Sequence, residues 1–581
     1  MGADGALSGA LAALWLGALW TAAPALGSAP GDAVARLRDA IILGVAVPFG
    51  LGFLHLLYGP VCLAAVLGLC LARMRARARQ AGAPEPIRFQ NLWLVLPVVA
   101  AALAASPALF QPPIEGDTLI YHLPNAAAWV HAGSVWTTST RYWWYPGGSE
   151  LFAAGLLAIG AWWSAGVSGF VAAALVGSRI AAWGAEIGAP AWAAACVGAA
   201  FVAAPLAAAQ AGDLRNDLWL AAFFLEALWL LHARERIGPA LAVTSIVKPI
   251  GFVFAGIAAI AGRARARDLV WFAPLGIWIA RDAILWRSAV IPPSSTAFPL
   301  WQTTIAAHGI VGFATLERAL LSAGIPTLLF AVLPILGLAF RGVRAHAAAG
   351  IAATVAFFLL PFGFASSVPQ LSAGTSLRFE LPAMAAGALV ACAIAARTPI
   401  TVGSLAAVAA LWGEASWFVL YRNDVATWFG APLVAAIAGC AFAFRKRAIG
   451  LAVGVSACAA LMIFGYVAAA RAVGFYAAAA AGQEHPTGLY GWLQSHRPKA
   501  IVAVDIHPGA VSVLTHETAV FDAAGADACA QARKSRALLV VGTDPAVPSK
   551  SRAFRFAQAR RCGVKLYGDA ESIVAAPSAS P

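Results

Sequence analysis

Between positions 115 and 124 the chain reads Glu115-Gly116-Asp117-Thr118-Leu119-Ile120-Tyr121-His122-Leu123-Pro124. Two carboxylates, a phenol and an imidazole are crowded directly after an apolar run from Asn91 to Phe110. A carboxylate within hydrogen-bond reach of a hydroxyl can serve as a general base. A chain poor in charge that places several polar groups at the mouth of one apolar run marks a candidate site there. The segment continues through Trp129, Arg141, Trp143, Trp144 and Tyr145-Pro146-Gly147-Gly148-Ser149-Glu150-Leu151. Plainer roles compete. Asp117 can cap a helix beginning near Thr118, Glu115 can be a solvated loop acid, and His122 an interfacial histidine. Tyr121 and the tryptophans can form an aromatic belt at the headgroup level.

The elements that must position these residues are set by composition. The 581 residues are 61% hydrophobic and 11% charged, with a mean hydropathy of +0.78. Soluble domains carry about 25% charged residues, so most of this chain must face lipid or other apolar helices. Apolar runs of about 20 residues recur, each long enough to cross a hydrocarbon core. The many Ala and Gly residues suit close helix packing. The expected fold is an all-α polytopic membrane protein of about 14–16 membrane helices, short half-helices included.

The net charge of +13 reads as topology rather than as affinity for nucleic acid. The basic residues fall in short clusters between apolar runs: Arg36/Arg38, Arg73 to Arg79, His232 to Arg236, Arg263 to Arg267, Arg341/Arg344 and Arg445 to Arg447. Such loops mark the cytoplasmic side. The intervening spans return the chain there each time only if Gly238 to Gly262 is a pair of half-helices. Lys248-Pro249 interrupts that run at its centre, as such a pair requires. Three spans are expected near residues 6–27, 39–56 and 57–72, with 91–110 leading outward. The loop from 111 to 150, Asp213 to Asp217, residues 291–318 and 366–378, and the segment after about 470 then share the extracytoplasmic face. An inner-membrane protein with a periplasmic C-terminus follows. The run Ala6 to Leu26 lacks a positive flank and reads as a retained helix.

Three regions are expected: extra N-terminal helices with a basic loop (1–90), a transmembrane catalytic region (91–470) and a soluble α/β domain (471–581). In the last, Ala500 to Val504 and Ala537 to Val541 read as strands, and Gly488 to His496 and Ala526 to Lys534 as helices. Six of the eight cysteines lie in spans. Cys529 and Cys562 lie in the soluble domain, where an oxidising compartment would let them pair.

Four stretches taken in order resemble the C-type glycosyltransferases, polytopic enzymes that take a sugar from a polyprenyl phosphate. Gly116-Asp117 to Pro124 followed by Tyr145-Pro146-Gly147 resembles the family's first extracytoplasmic loop, with the second Pro of its turn replaced. Asn216-Asp217-Leu218-Trp219-Leu220-Ala221-Ala222-Phe223-Phe224 is similar to a helix start of the family, with Trp219 in place of Pro. Ile246-Val247-Lys248-Pro249-Ile250-Gly251 is similar to its Thr-Lys turn without the Thr. Ser376-Leu377-Arg378-Phe379-Glu380-Leu381-Pro382 is similar to its Arg-Tyr-x-x-Pro element. The resemblance covers roughly residues 91–400.

It implies an inverting transfer of a sugar from a polyprenyl phosphate donor to a lipid, glycan or protein acceptor. Asp117 matches the family's catalytic acid position, with Glu115 in reserve. Lys248 and Arg378 are the candidate donor-phosphate ligands, since pre-placed cations stabilise charge building on the leaving phosphate; Lys248 can instead snorkel to the surface and Arg378 anchor a helix end. Tyr121, His122, Arg141, Tyr145, Arg215 and Asp217 are expected to contact substrate, although Asp213, Arg215 and Asp217 can equally form a local salt bridge. No nucleotide-phosphate loop or zinc-spaced cluster stands in the sequence. No cofactor is expected, and a divalent cation at Asp117 stays open. A transporter or lipid flippase also fits interrupted helices and intramembrane charge, but no internal repeat accompanies them. A structural partner with an interacting tail fits the C-terminus and leaves the loop carboxylates unexplained.

Overall fold

The structure, a computed structural model, describes residues 2–26, 32–79, 89–105, 113, 117–140, 142–235, 237–286, 325–359, 377–422 and 498–504, with strands at 519–522, 538–541, 565–567 and 573–576. The expected readings at Glu115, Arg141, 291–318, 423–470, Cys529, Cys562 and the two soluble-domain helices lie outside the described residues.

The chain opens with three long helices: α1 (Gly2–Ala22), α2 (Ala33–Phe53) and α3 (Gly59–Arg79). Asp32 caps α2 by accepting from the Ala35 amide at 2.9 Å, so that helix starts earlier than the expected span and takes in Arg36 and Arg38. After α4 (Val95–Ala105), a π turn (Thr118–His122) leads into α5 (Leu123–Ala132), and α6 (Gly148–Ala158) follows. The bundle continues with α7 (Val167–Glu186), α8 (Ala191–Ala203), the short α9 (Pro205–Ala208) and α10 (Asp217–His232). Next come α11 (Gly238–Ile246), α12 (Gly251–Ala261), α13 (Ala273–Trp286), α14 (Ile325–Gly337), α15 (Arg344–Leu359), α16 (Leu381–Ala395) and α17 (Pro399–Arg422).

Among the described residues three helical stretches are long and apolar enough to cross a membrane: Gly5–Ala22, Trp162–Glu186 and Leu377–Ala395. The last two are 89% and 83% buried and the first only 33%, so α7 and α16 form the centre of the bundle and α1 its rim. Large aliphatic side chains such as Ile260, Ile284, Ile400 and Leu405 lie exposed on the outside, where a soluble protein would place polar groups. Close crossings use small residues, as composition led one to expect. A Cβ on Gly387 of α16 would lie 1.9 Å from the Phe330 carbonyl oxygen of α14, which only glycine permits.

The expected half-helix pair is present. Residues 238–262 form α11 and α12, packed on each other and separated by Val247 to Ile250. Proline at 249 removes an amide donor and clashes with the preceding turn, which ends α11 just before Lys248.

A polar group is buried between α7 and α10. Arg179 donates to Glu226 through Nε (2.7 Å) and Nη2 (3.0 Å) and stacks over the Trp229 ring at 3.7 Å. Arg38 Nη1 stands 3.9 Å from the same carboxylate and pairs through Nε with Asp39 at 2.8 Å. Arg38 is therefore buried in an ion-pair group, and not a solvated loop charge as its cluster with Arg36 implied.

The C-terminal strands are β1 (Ala500–Val504), β2 (Ala519–Asp522), β3 (Leu538–Val541), β4 (Lys565–Tyr567) and β5 (Ile573–Ala576), in sheet order β2-β1-β3-β5-β4. β1 runs parallel to β2 and β3, with Ile501 opposite Val520 and Leu538, and β5 is antiparallel to β3 and β4. The parallel part matches the expected alternation of strands and crossovers. Strand β2 lies against α5.

Candidate active site

Four segments far apart in sequence meet at one point. The π turn carries Asp117 at its start, and Thr118 Oγ1 accepts from the Leu214 amide at 3.3 Å. That bond ties the turn to the segment entering α10. Asn216 ends this segment and donates through Nδ2 to the Val247 carbonyl at 3.2 Å, fixing it to the break between α11 and α12. Gln210 Oε1 accepts from the Leu218 amide at 3.0 Å and so satisfies a free donor at the start of α10. The fourth segment is the 3-10 turn Leu377–Glu380 that opens α16.

Their side chains form a continuous chain of ion pairs. Arg378 Nη2 lies 2.5 Å from Asp117 Oδ2. Its Nε lies 3.1 Å from Asp217 Oδ2, an ion pair without hydrogen-bond angles. Lys248 Nζ donates to Asp217 Oδ1. Phe379 lies under both cations, with its ring centre 4.1 Å from Lys248 Nζ and 5.5 Å from the Arg378 guanidinium. Side-chain exposure falls from 31% at Asp117 and 17% at Arg378 to 8% at Lys248 and 2% at Asp217. The chain thus has an outer end at Asp117 and an inner end at Lys248, and its two acids balance its two cations.

Burial would raise the Asp117 carboxyl, but Arg378 first, then His122 and Arg215, outweigh it and hold the group below the usual carboxylate range. Asp117 makes no side-chain capping bond to its helix and pairs with Arg378.

Beside this chain stands an aromatic wall. Tyr121 lies edge-on to Tyr142 (5.0 Å between ring centres) and Tyr145 (5.8 Å), and Trp144 meets Tyr145 at 4.3 Å. Burial, with Asp117 next, pushes the Tyr121 phenol up; burial and then Tyr142 do the same for Tyr145. Both phenols therefore stay protonated as hydrogen-bond donors. Trp129, Trp143 and Trp144 are buried within the protein, and the belt reading fails for them because their side chains pack against the bundle. His122 Nδ1 lies 2.6 Å from Glu150 Oε1, and Ser149 Oγ donates to Glu150 Oε2 at 2.8 Å.

Of the expected site residues, Asp117, Asp217, Lys248 and Arg378 are in one ion-pair chain, with Tyr121, His122 and Tyr145 alongside. Arg215 bonds to Asp213 through Nε (2.7 Å) and its own amide (2.6 Å). The local salt bridge foreseen there forms with Asp213 and leaves Asp217 to the cations.

Sequence reasoning missed three contributors. Glu150 carried no role, although an acid in the first turn of an apolar helix is a visible signal. Phe379 appeared only as part of a motif. Arg281, inside the apolar run of α13, is fully buried and grips the loop: Nε donates to Val135 O (2.9 Å), Nη1 to Trp143 O (3.0 Å) and Nη2 to Thr137 O (3.1 Å). Trp278 Nε1 adds a bond to Trp144 O at 3.2 Å. Among the described residues no group of three or more His, Cys, Asp or Glu side chains is placed to hold a metal ion.

No family model and no curated protein matches the chain. A solved structure, that of ArnT from Cupriavidus metallidurans bound to undecaprenyl phosphate, aligns with 84% of this chain and 98% of its own. The TM-score is 0.48 and the sequence identity 16%. At that score the likeness carries no weight for chemistry, which rests on the residues themselves.

Proposed function

We propose that this membrane protein is an inverting glycosyltransferase that moves a sugar from a polyprenyl phosphate to an acceptor hydroxyl at the periplasmic face of the inner membrane. The observation that carries this reading is the ion-pair chain Asp117–Arg378–Asp217–Lys248. It places two cations suited to a phosphate diester next to a partly exposed carboxylate suited to a hydroxyl proton. Arg378 offers a planar fork and Lys248 a point charge. As the anomeric carbon–phosphate oxygen bond breaks, both meet charge building on the leaving phosphate.

Asp117 takes the proton of the acceptor hydroxyl as its oxygen bonds to the anomeric carbon from the opposite side, so a single displacement inverts that centre. Asp117 and Asp217 pair with both cations. A donor phosphate that draws Arg378 toward itself loosens its hold on Asp117, and the carboxylate becomes a better base when donor is present. The acceptor class, whether lipid, glycan or protein, is set by surfaces around this point. Strand β2 beside α5 supports a role for the C-terminal domain in acceptor access.

The test is transfer of label from radiolabelled polyprenyl-phosphate sugars to envelope extract by purified protein in lipid. Lys248→Met and Arg378→Gln are expected to weaken use of the donor at least tenfold, and Asp117→Asn to stop transfer. Sugar lipid moved across the membrane without bond cleavage would overturn the reading in favour of transport.

A further inference from the structure

His122 and Glu150 are a fixed pair, and the mechanism above does not use the second ring nitrogen of His122. The imidazole is 1% exposed and the carboxylate fully buried. Both Glu150 oxygens are engaged, one by His122 Nδ1 at 2.6 Å and one by Ser149 Oγ at 2.8 Å, so the ring is locked at one edge. Nε2, on the other edge, is buried and has no hydrogen-bond partner among the described residues. An unmatched buried nitrogen is costly and calls for a specific partner.

Three surroundings say what kind. The ring closes the same π turn that Asp117 opens, and Asp117 lies 2.5 Å from Arg378, one of the cations assigned to the donor phosphate. The Tyr121 ring centre is 4.0 Å away, and through it the wall of Tyr142, Tyr145 and Trp144 adjoins. An aromatic wall and one directional polar atom next to a phosphate site suit a carbohydrate ring: its C–H face covers the aromatics and a hydroxyl meets the nitrogen.

We propose that His122 Nε2 hydrogen-bonds one particular hydroxyl of the transferred sugar, and that Glu150 holds the ring in place for it. His122 is then a specificity-determining residue and Glu150 a positioning residue. This inference rests on the glycosyltransferase reading.

The test compares wild type, His122→Phe, His122→Gln and Glu150→Gln on a polyprenyl-phosphate sugar that the wild type uses and on its monodeoxy analogues. A site built to bond a hydroxyl rejects the analogue lacking it by up to about 10⁴-fold. One deoxy position is expected to cost the wild type at least about 100-fold in kcat/KM. That penalty should collapse to about threefold or less in His122→Phe, with the other deoxy positions unchanged. His122→Gln, which keeps a polar atom, should retain part of it. Glu150→Gln, which keeps the shape of the carboxylate, should lose most of it and so serves where His122→Phe does not fold. An unchanged penalty in both His122→Phe and Glu150→Gln, or an equal loss at every position, overturns the inference and leaves the enzyme reading standing. A wild type that transfers no sugar from any donor in a panel that a control enzyme uses overturns both.

Discussion

Replacing Asp117 with Asn removes one charge from the outer end of the ion-pair chain and leaves its shape, and the two consequences have opposite signs. Transfer loses its base. General base catalysis contributes about 10²–10⁴-fold, or roughly 3–5 kcal/mol of barrier, so the variant should transfer at less than a hundredth of the wild-type rate. Donor binding, in contrast, should improve. In the wild type a donor phosphate must first draw Arg378 Nη2 away from Asp117 Oδ2, 2.5 Å distant. A hydrogen bond between charged groups contributes about 1.5–3 kcal/mol when buried. Asp117 is 31% exposed and Arg378 17%, so screening brings the figure down to about 1 kcal/mol. In the asparagine variant that competition is gone, and donor affinity should rise about fivefold. Equilibrium binding of radiolabelled donor to protein in nanodiscs measures the second effect, and single-turnover transfer the first. A variant that binds donor more weakly than wild type, or transfers at more than a tenth of its rate, would refute the reasoning.

Further expectations rest on other contacts. In the free protein the neighbouring cations hold Asp117 below the usual carboxylate range, so it is ionised at neutral pH and the acid limb of kcat/KM should lie below about pH 4. With donor bound, Arg378 is shared and the proton affinity of Asp117 rises. The acid limb of kcat should therefore sit at higher pH than that of kcat/KM, and coincident limbs in the pH profiles would count against donor-coupled release. Arg281→Met removes the donors that hold the carbonyls of Val135, Thr137 and Trp143. Transfer should fall at least tenfold, with new proteolytic cleavage between residues 134 and 144 seen by mass spectrometry. Arg179→Met strands Glu226 with only Arg38 at 3.9 Å and should cost about 3–5 kcal/mol. Arg179→Met with Glu226→Met should regain most of it, as read by unfolding in mixed detergent micelles.

What the sequence made legible follows from range. Helices, the break at Lys248-Pro249 and two of the strands are written in runs of a few residues, and these were readable. Asp117, Asp217, Lys248 and Arg378 were readable as candidates because each is a charge that an apolar chain has reason to avoid. Their partnership was not, since no local pattern says that Asp217 serves both cations while Arg215 turns to Asp213. Glu150 hid behind an ordinary role, because an acid in the first turn of a helix already complements the dipole. Arg281 hid for another reason: an arginine beside Asp282 suggests only a local ion pair, which does form at 2.6 Å, whereas the same guanidinium also reaches for backbone carbonyls. The buried tryptophans departed from the expected belt because Trp278 and Arg281 of α13 hold the segment that carries them, through the carbonyls of Trp144 and Trp143 and the ring of Trp129. The strand Ala519–Asp522 ends on an aspartate, a residue strands disfavour, whereas the equally short Leu538–Val541 is an unbroken apolar run.

The grip of Arg281 on Val135 spans 146 positions of chain, and that interval is also a delay. At roughly 5–20 residues per second of synthesis, the loop emerges some 7–30 s before the guanidinium that shapes it exists. Arg378 arrives later still. The reactive corner of this protein therefore cannot be completed until Arg378 of the 581 residues has been made, about two-thirds of the way along the chain. A nascent chain halted before α13 would carry Asp117 and His122 yet have neither the shape nor the charge balance to use them.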